Sequence, residues 1–226
     1  MTLLHHEGLK AALEVQAIND RLVVMPMLDE SQIGPASIDL RLGTEFIELR
    51  RLERGLLDPF SDESGAWARE ERMVVPLGDQ LVLHPGQFVL GATLEFLRLP
   101  RHLAGEVLTR SSWARVGLIV ATAVFVHPGY SGVLTLELVN IGSVPMLLCP
   151  GLRIAQLIVS TLPGATGFAY TDAGPKYVAA LRPEASRLGS EAAEVTRLKA
   201  IGDRLRGQAS EPSSKPDDSK QPSRPQ

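Results

Sequence analysis

Cysteine is almost missing from this chain of 226 residues. Cys149 stands alone, which excludes a disulfide within the chain and a metal cage of cysteine thiolates. Its setting in the apolar run MLLCPG reads as that of a small core residue. The five histidines are scattered, with only His5 and His6 adjacent. Long apolar runs are missing too, and no window approaches the roughly 18 residues of a membrane span. The opening stretch, MTLLHHEGLKAALEVQ, has neither the basic region nor the apolar core of a secretory signal, so the expected location is the cytoplasm. An excess of charge of one sign is likewise absent: 23 Lys and Arg face 26 Asp and Glu, a net −3. No global positive field recruits nucleic acid or a membrane surface, and any anion must be held by a local cluster.

A regular alternation of strands with helices is also lacking, as is any internal repeat, so nothing suggests a parallel sheet. Instead, short apolar segments recur about every ten residues between Pro and Gly punctuation. They include RLVVMPM, SIDLRLGTEFIEL, RMVVPL, QLVLHPGQFVLGATLEFLRLP, HLAGEVL, GLIVATAVFV, GVLTLELVN, VPMLLCPG and LRIAQLIVS. Evenly spaced short strands of this kind predict an all-β sandwich or barrel. Residues 8–19 carry apolar side chains at helical spacing and predict one short helix near the start. The charged stretch 50–72 reads as a surface excursion. Helical spacing returns over residues 185–206, and the Pro- and Ser-rich end is too polar to order itself. The expected organisation is a β domain over residues 1–190, a helix over 191–206 and a disordered tail over 207–226.

One local cluster stands out. VLTRSSWARVGL, residues 107–118, packs two arginines and two adjacent hydroxyls between apolar flanks. Cations and hydroxyls at this density suit a polyphosphate. Downstream, the turn His127–Gly132 leads into a strand whose only charge is Glu137. A carboxylate among apolar neighbours is suited to proton transfer, because burial favours its neutral form. Together the two segments suggest an enzyme acting on a nucleotide. The same residue types also make ordinary solvated turns and salt-bridged strands, and the segments alone leave both readings open.

Five motifs in order settle on a family. GPASIDLRLGTEF, LHPGQFVLGATLEFLRLP, RSSWARVGL, ATAVFVHPGYSGVLTLELVN and LCPGLRIAQL together resemble the dCTP deaminases of the dUTPase-like superfamily, over roughly residues 20–190. The resemblance implies a distorted β-barrel of the β-clip or jelly-roll type, with a short N-terminal and a C-terminal helix. It also implies a homotrimer with active sites between subunits, a substrate that is dCTP or a related pyrimidine deoxynucleoside triphosphate, and Mg²⁺ carried on that triphosphate. Zinc deaminases activate water with a metal held by Cys and His and a nearby glutamate. With one cysteine and no H-x-E…P-C-x-x-C signature, this chain is expected to use a carboxylate and no zinc.

By the same resemblance Glu137 matches the catalytic glutamate, Ser111 helps hold the attacking water, and Arg115 orients the carboxylate and polarises the base. Arg110 and Ser112 fall where the family grips the triphosphate, with Trp113 beside them in place of a smaller apolar residue. Ala123 matches a position whose backbone faces the base, and Thr135 and Leu136, which lead into the glutamate, are expected to bind substrate. Tyr130 falls where a ring packs on the sugar and crowds a 2′-hydroxyl. Gln156 matches a glutamine of deaminases that also cleave dUTP to dUMP. Tyr170 and Lys176 match residues that reach the phosphates from the closing segment. Two positions depart from the pattern. His127 replaces an aspartate that contacts the sugar 3′-hydroxyl, and Ala180 replaces a glutamine that contacts substrate. The expected reaction is therefore deamination of dCTP to dUTP and ammonia. A bifunctional enzyme releasing dUMP, which His127 opposes, and a nucleotide-binding paralogue without turnover are the alternatives.

Overall fold

Short apolar segments become strands, several of them with one face buried and the other part-exposed. A computed structural model describes residues 2–51, 68–121, 125–168, 170–173, 177 and 179–209. In chain order the elements are β1 (Thr2–Leu3), α1 (His6–Glu14), β2 (Val23–Met25), β3 (Ile38–Arg41), β4 (Glu45–Arg51), β5 (Ala68–Val74), β6 (Leu81–Leu83), β7 (Phe88–Arg98), β8 (Leu103–Thr109), α2 (Ser111–Ala114), β9 (Leu118–Val120), β10 (Phe125–Val126), β11 (Ser131–Asn140), β12 (Met146–Leu148), β13 (Arg153–Thr161) and α3 (Ala192–Ala209). Every pairing between these strands is antiparallel. The class is all-β, as the recurring apolar segments predict.

Two units divide the chain. The first comprises residues 1–55 and 67–186 and holds every strand among the described residues; the described part of the second is a 3-10 turn, Leu188–Glu191, followed by α3. In the first unit one sheet runs β1-β13-β8-β10 with β3 also on β13, and another runs β5-β4-β7-β11-β9 with β2 also on β7. A ribbon joins β6 to β12. No ring of strands closes among the described residues, so the barrel is distorted into separate sheets that share one core. Leu40, Val107 and Leu157 enter that core from one sheet, Val89, Leu136 and Leu138 from the other, and Leu83 and Leu148 from the ribbon.

Alternation on β11 fixes what faces outward. Leu134, Leu136 and Leu138 are buried while Thr135, Glu137 and Val139 are only part-buried. Each buried leucine contributes about 1.5–3 kcal/mol. A slip of one residue would expose all three and drive Glu137 into the core, so the register is strongly specified. Beside this strand β7 bulges: the pairing jumps from Val133↔Phe96 to Thr135↔Ala92. The Thr93 hydroxyl fills the gap, accepting from Leu134 N–H at 3.0 Å and donating to Glu95 C=O at 2.7 Å.

Several boundaries differ from expectation for local reasons. The first helix starts at His6, because the His5 ring accepts from Gly8 N–H at 3.1 Å and caps it, and it ends at Glu14. The chain then doubles back, with Leu22 N–H bonded to Ala12 C=O. The stretch read as a surface excursion contributes strand at both ends, since β4 and β5 pair from Glu45↔Val74 to Arg51↔Ala68. Its charges sit across the ladder, as in the Arg50–Glu71 ion pair of 2.6 Å. Residues 52–67 between them lie outside the described residues. Helix α3 runs to Ala209, and residues 210–226, most of the expected tail, also lie outside the description. No helix among the described residues is long and apolar enough to cross a membrane.

Candidate active site

A cavity of about 330 Å³ opens beside the outward face of β11. Phe125, Val126, His127, Tyr130, Thr135, Glu137, Tyr170, Tyr177, Ala180 and Glu184 are among its lining residues. Glu137 is half-buried, its Oε2 atom is shielded from solvent, and its backbone C=O accepts from Ala121 N–H at 2.8 Å. Leu90, opposite Glu137 across the ladder, also lines the cavity. The result is a carboxylate in a largely apolar hollow, the setting in which a proton is exchanged most readily with a bound ligand.

Aromatic rings wall the mouth. The His127 ring stacks on Tyr170 with centroids 5.2 Å apart and planes 2° from parallel, and meets Phe125 edge-on at 4.9 Å. Tyr170 N–H bonds to Pro128 C=O at 2.9 Å, and the adjacent Asp172 pairs with Arg101 at 3.0 Å. Tyr130 lies 6.0 Å from Tyr170, and its hydroxyl donates to Val133 C=O at 2.7 Å. Burial pushes the Tyr130 phenol well above its ordinary pKa, with Tyr170 and Glu184 adding to the shift. Burial also raises Tyr170. Both rings therefore stay neutral and act as packing surfaces, and the Tyr130 hydroxyl is a hydrogen-bond donor.

The chain's closing segment reaches β11 through its backbone. Ala179 N–H bonds to Ser131 C=O and Val133 N–H to Ala180 C=O, both at 2.8 Å. Gly132 permits this close approach: at φ 143° a Cβ there would lie 3.0 Å from both N and O of Ala180. Glu184 N–H donates to Thr135 Oγ1 at 3.2 Å. Ala180 thus lines the cavity with its backbone engaged, at the position where the resemblance expects a glutamine.

The Arg-Ser-Ser motif forms a second, separate surface. Trp113 and Ala114 donate to Arg110 C=O, and Arg115 donates to Ser111 C=O at 3.1 Å, which closes the short helix α2. Gly117, at φ 94°, ends the turn against Gly142, where a Cβ would lie 2.7 Å from Gly142 N. Ser111, Ser112 and Arg115 are exposed, whereas Trp113 packs on the core and donates from Nε1 to Arg153 C=O at 2.9 Å. None of residues 110–115 lines the cavity.

The structure therefore gathers Glu137, Thr135, His127, Tyr130 and Tyr170 at one place. Arg110, Ser111, Ser112, Trp113 and Arg115 are gathered at another. Gln156, half-buried on β13 opposite Asp39, belongs to neither lining. Leu136 is fully buried in the core, so only its backbone is available to a ligand. Ala123 and Lys176 lie outside the described residues. Sequence reasoning passed over Phe125, Tyr177 and Glu184 in the lining. Phe125 sits two residues before His127 and Glu184 follows the Arg-Pro of LRPE, but neither spacing signals a site. Among the described residues no group of three or more His, Cys, Asp or Glu side chains is arranged to hold a metal ion.

Comparison with known proteins identifies the family. The family profile described as dCTP deaminase-like matches residues 9–162. A dCTP deaminase of Halorubrum lacusprofundi is 44% identical over 174 residues, covering 75% of this chain and 85% of the relative. A dUMP-forming dCTP deaminase of Methanobrevibacter smithii is 36% identical over 191 residues, covering 83% and 96%. The crystal structure of a 2′-deoxycytidine 5′-triphosphate deaminase from Agrobacterium tumefaciens shares the fold, with a TM-score of 0.53 at 23% identity over 71% of this chain. The match spans 48% of that protein's length. On the extent of the profile match and the identity to these relatives, the chain belongs to the dCTP deaminase-like family.

Proposed function

We propose that this protein hydrolyses the 4-amino group of dCTP, releasing dUTP and ammonia, with Glu137 as the proton carrier. The observation that carries the reading is the position of Glu137, half-buried on the outward face of β11 in a cavity walled by His127, Tyr130 and Tyr170. About 330 Å³ lies at the small end of ligand cavities, which run from about 300 to 1,000 Å³, and suits a nucleoside better than a whole triphosphate. The phosphates then belong on another surface, and Arg110, Ser111 and Ser112 supply one with a cation and hydroxyls. That surface and the cavity are separate on one chain. An assembly of copies, a homotrimer by the family resemblance, would bring the turn of one subunit to the cavity of the next.

In the proposed chemistry Glu137 takes a proton from water as the oxygen adds to C4. It passes that proton to ring N3, then takes the proton of the C4 hydroxyl in the tetrahedral intermediate and gives it to the amine. The C4 carbonyl thus forms as the C–N bond breaks, ammonia leaves and the carboxylate is regenerated. Ser111 holds the water and Arg115 polarises the base. Mg²⁺ arrives on the triphosphate as part of the substrate. Its ligands would be phosphate oxygens and water. The donor set of the chain, with one cysteine, favours this scheme over a zinc-bound water.

General acid–base groups contribute about 10²–10⁴-fold. Ammonia release from MgdCTP is expected for the wild type, and Glu137→Gln is expected to lose at least about a hundredfold with its melting temperature unchanged. Full activity in that variant would remove the role from Glu137. A second reading, a bifunctional enzyme that continues to dUMP, is favoured by Gln156 and by the dUMP-forming activity named for the Methanobrevibacter relative, and opposed by His127. Chromatography of the products separates dUTP from dUMP and pyrophosphate.

A further inference from the structure

Behind the Arg110–Arg115 turn lies a chain of alternating charges. On β3, Ile38 and Leu40 face the core, so Asp39 and Arg41 face out. Antiparallel pairing with β13 sets Arg153 opposite Arg41 and Gln156 opposite Asp39. At the inner end the buried Glu95 accepts from Gln32 Nε2 at 3.0 Å, and Gln32 Oε1 accepts from Arg41 Nε at 3.2 Å. Asp29 bridges Arg41 and Arg153, with 2.8 Å to each. Arg153 Nη1 then lies 3.5 Å from Asp39 Oδ2, and Asp39 Oδ1 lies 3.3 Å from Arg110 Nε.

Asp39 therefore holds one arginine on each oxygen. Arg41 and Arg153 are both tied to Asp29 as well, whereas the Arg110 guanidinium meets Asp39 and the Arg153 carbonyl, 3.3 Å from Nη1. Positive charge is least compensated at the Arg110 end, which is the end on the turn. Asp39 is also the more sheltered of the two, at 15% side-chain exposure against 35% for Arg110. A long arginine left free loses rotamer entropy each time it binds, and a fixed one does not.

We propose that Asp39 is a positioning residue for triphosphate recognition, holding Arg110 by Nε so that its guanidinium stands ready for phosphate oxygens. The inference rests on the reading of the turn as the triphosphate grip. It assigns to Asp39 an action through Arg110 and no contact with the substrate.

A double-mutant cycle tests it. The kcat and KM for dCTP and the inhibition constant of dCMP are measured for wild type, Asp39→Asn, Arg110→Gln and the double variant. Asp39→Asn is expected to raise the KM for dCTP about tenfold, with kcat within about twofold and dCMP affinity little changed. In the Arg110→Gln background Asp39→Asn is expected to add less than about twofold, because its route of action is gone. An equal added loss in that background, an unchanged KM or a lowered KM each overturns the inference while leaving the deaminase reading intact. Absence of dCTP turnover in the wild type overturns both. Should Asp39→Asn not fold, Arg110→Lys reads the same coupling, since lysine keeps the charge but has no Nε edge for Asp39. A KM raised about tenfold is then expected, and a wild-type KM overturns the inference.

Discussion

Replacing Asn140 tests whether the end of β11 holds the Arg110–Arg115 turn in place. Asn140 is fully buried, and its amide nitrogen donates to Leu83 C=O and Val144 C=O, each at 2.9 Å. Its Oδ1 accepts from Gly142 N–H, also at 2.9 Å. Gly142 is the residue against which Gly117 packs, and Ile141 N–H bonds to Gly117 C=O at 2.8 Å. Asn140→Ala removes three bonds at a net of about 0.5–1.5 kcal/mol each, roughly 3 kcal/mol in all. For a domain of about 150–250 residues that lowers the melting temperature by about 6–12 °C. Calorimetry measures the shift, and the KM for dCTP is expected to rise with it as the turn loosens. Asn140→Asp keeps the shape but turns a donor into an acceptor facing two carbonyls. Its buried carboxyl would favour the protonated form, so the variant is expected to lose more stability at neutral than at acid pH. A drop of less than about 1 °C in Asn140→Ala, or an Asn140→Asp deficit that shrinks as pH rises, would refute the reasoning.

Gly117→Ala places a Cβ 2.7 Å from Gly142 N at φ 94°. The left-handed backbone and the overlap together cost about 2–5 kcal/mol, and both a lowered melting temperature and a raised KM for dCTP are expected. Burial raises the pKa of Glu95 above the ordinary 4.5, against the pull of the Arg41 N–H, Gln32 and the Arg41 charge. Its contribution to stability is therefore full below that ordinary value and is lost as pH rises through the raised one. The melting temperature of Glu95→Gln relative to wild type is expected to rise as pH increases above the ordinary 4.5, and a constant difference would count against the shift.

Sequence patterning alone determined the all-β class and most of the strands, and singled out Glu137 as the lone charge of its strand, because short apolar segments punctuated by Pro and Gly are local properties. The outward face of Glu137 came from the structure. The closing segment of the chain was legible as a motif through Tyr170. Its attachment through Ala180 and Glu184 was not, since backbone bonds to Ser131, Val133 and Thr135 carry no side-chain signature. The ordered motifs raised the expectation of chemistry at Arg110 and Glu137 but did not show its division between two surfaces on one chain. Only the tertiary structure separates the turn from the cavity. Asp39 illustrates the same limit: it was visible in SIDLRLG without a role. Its partners Arg110 and Arg153 lie on distant parts of the chain, and strand register, which the whole sheet sets, brings the three together.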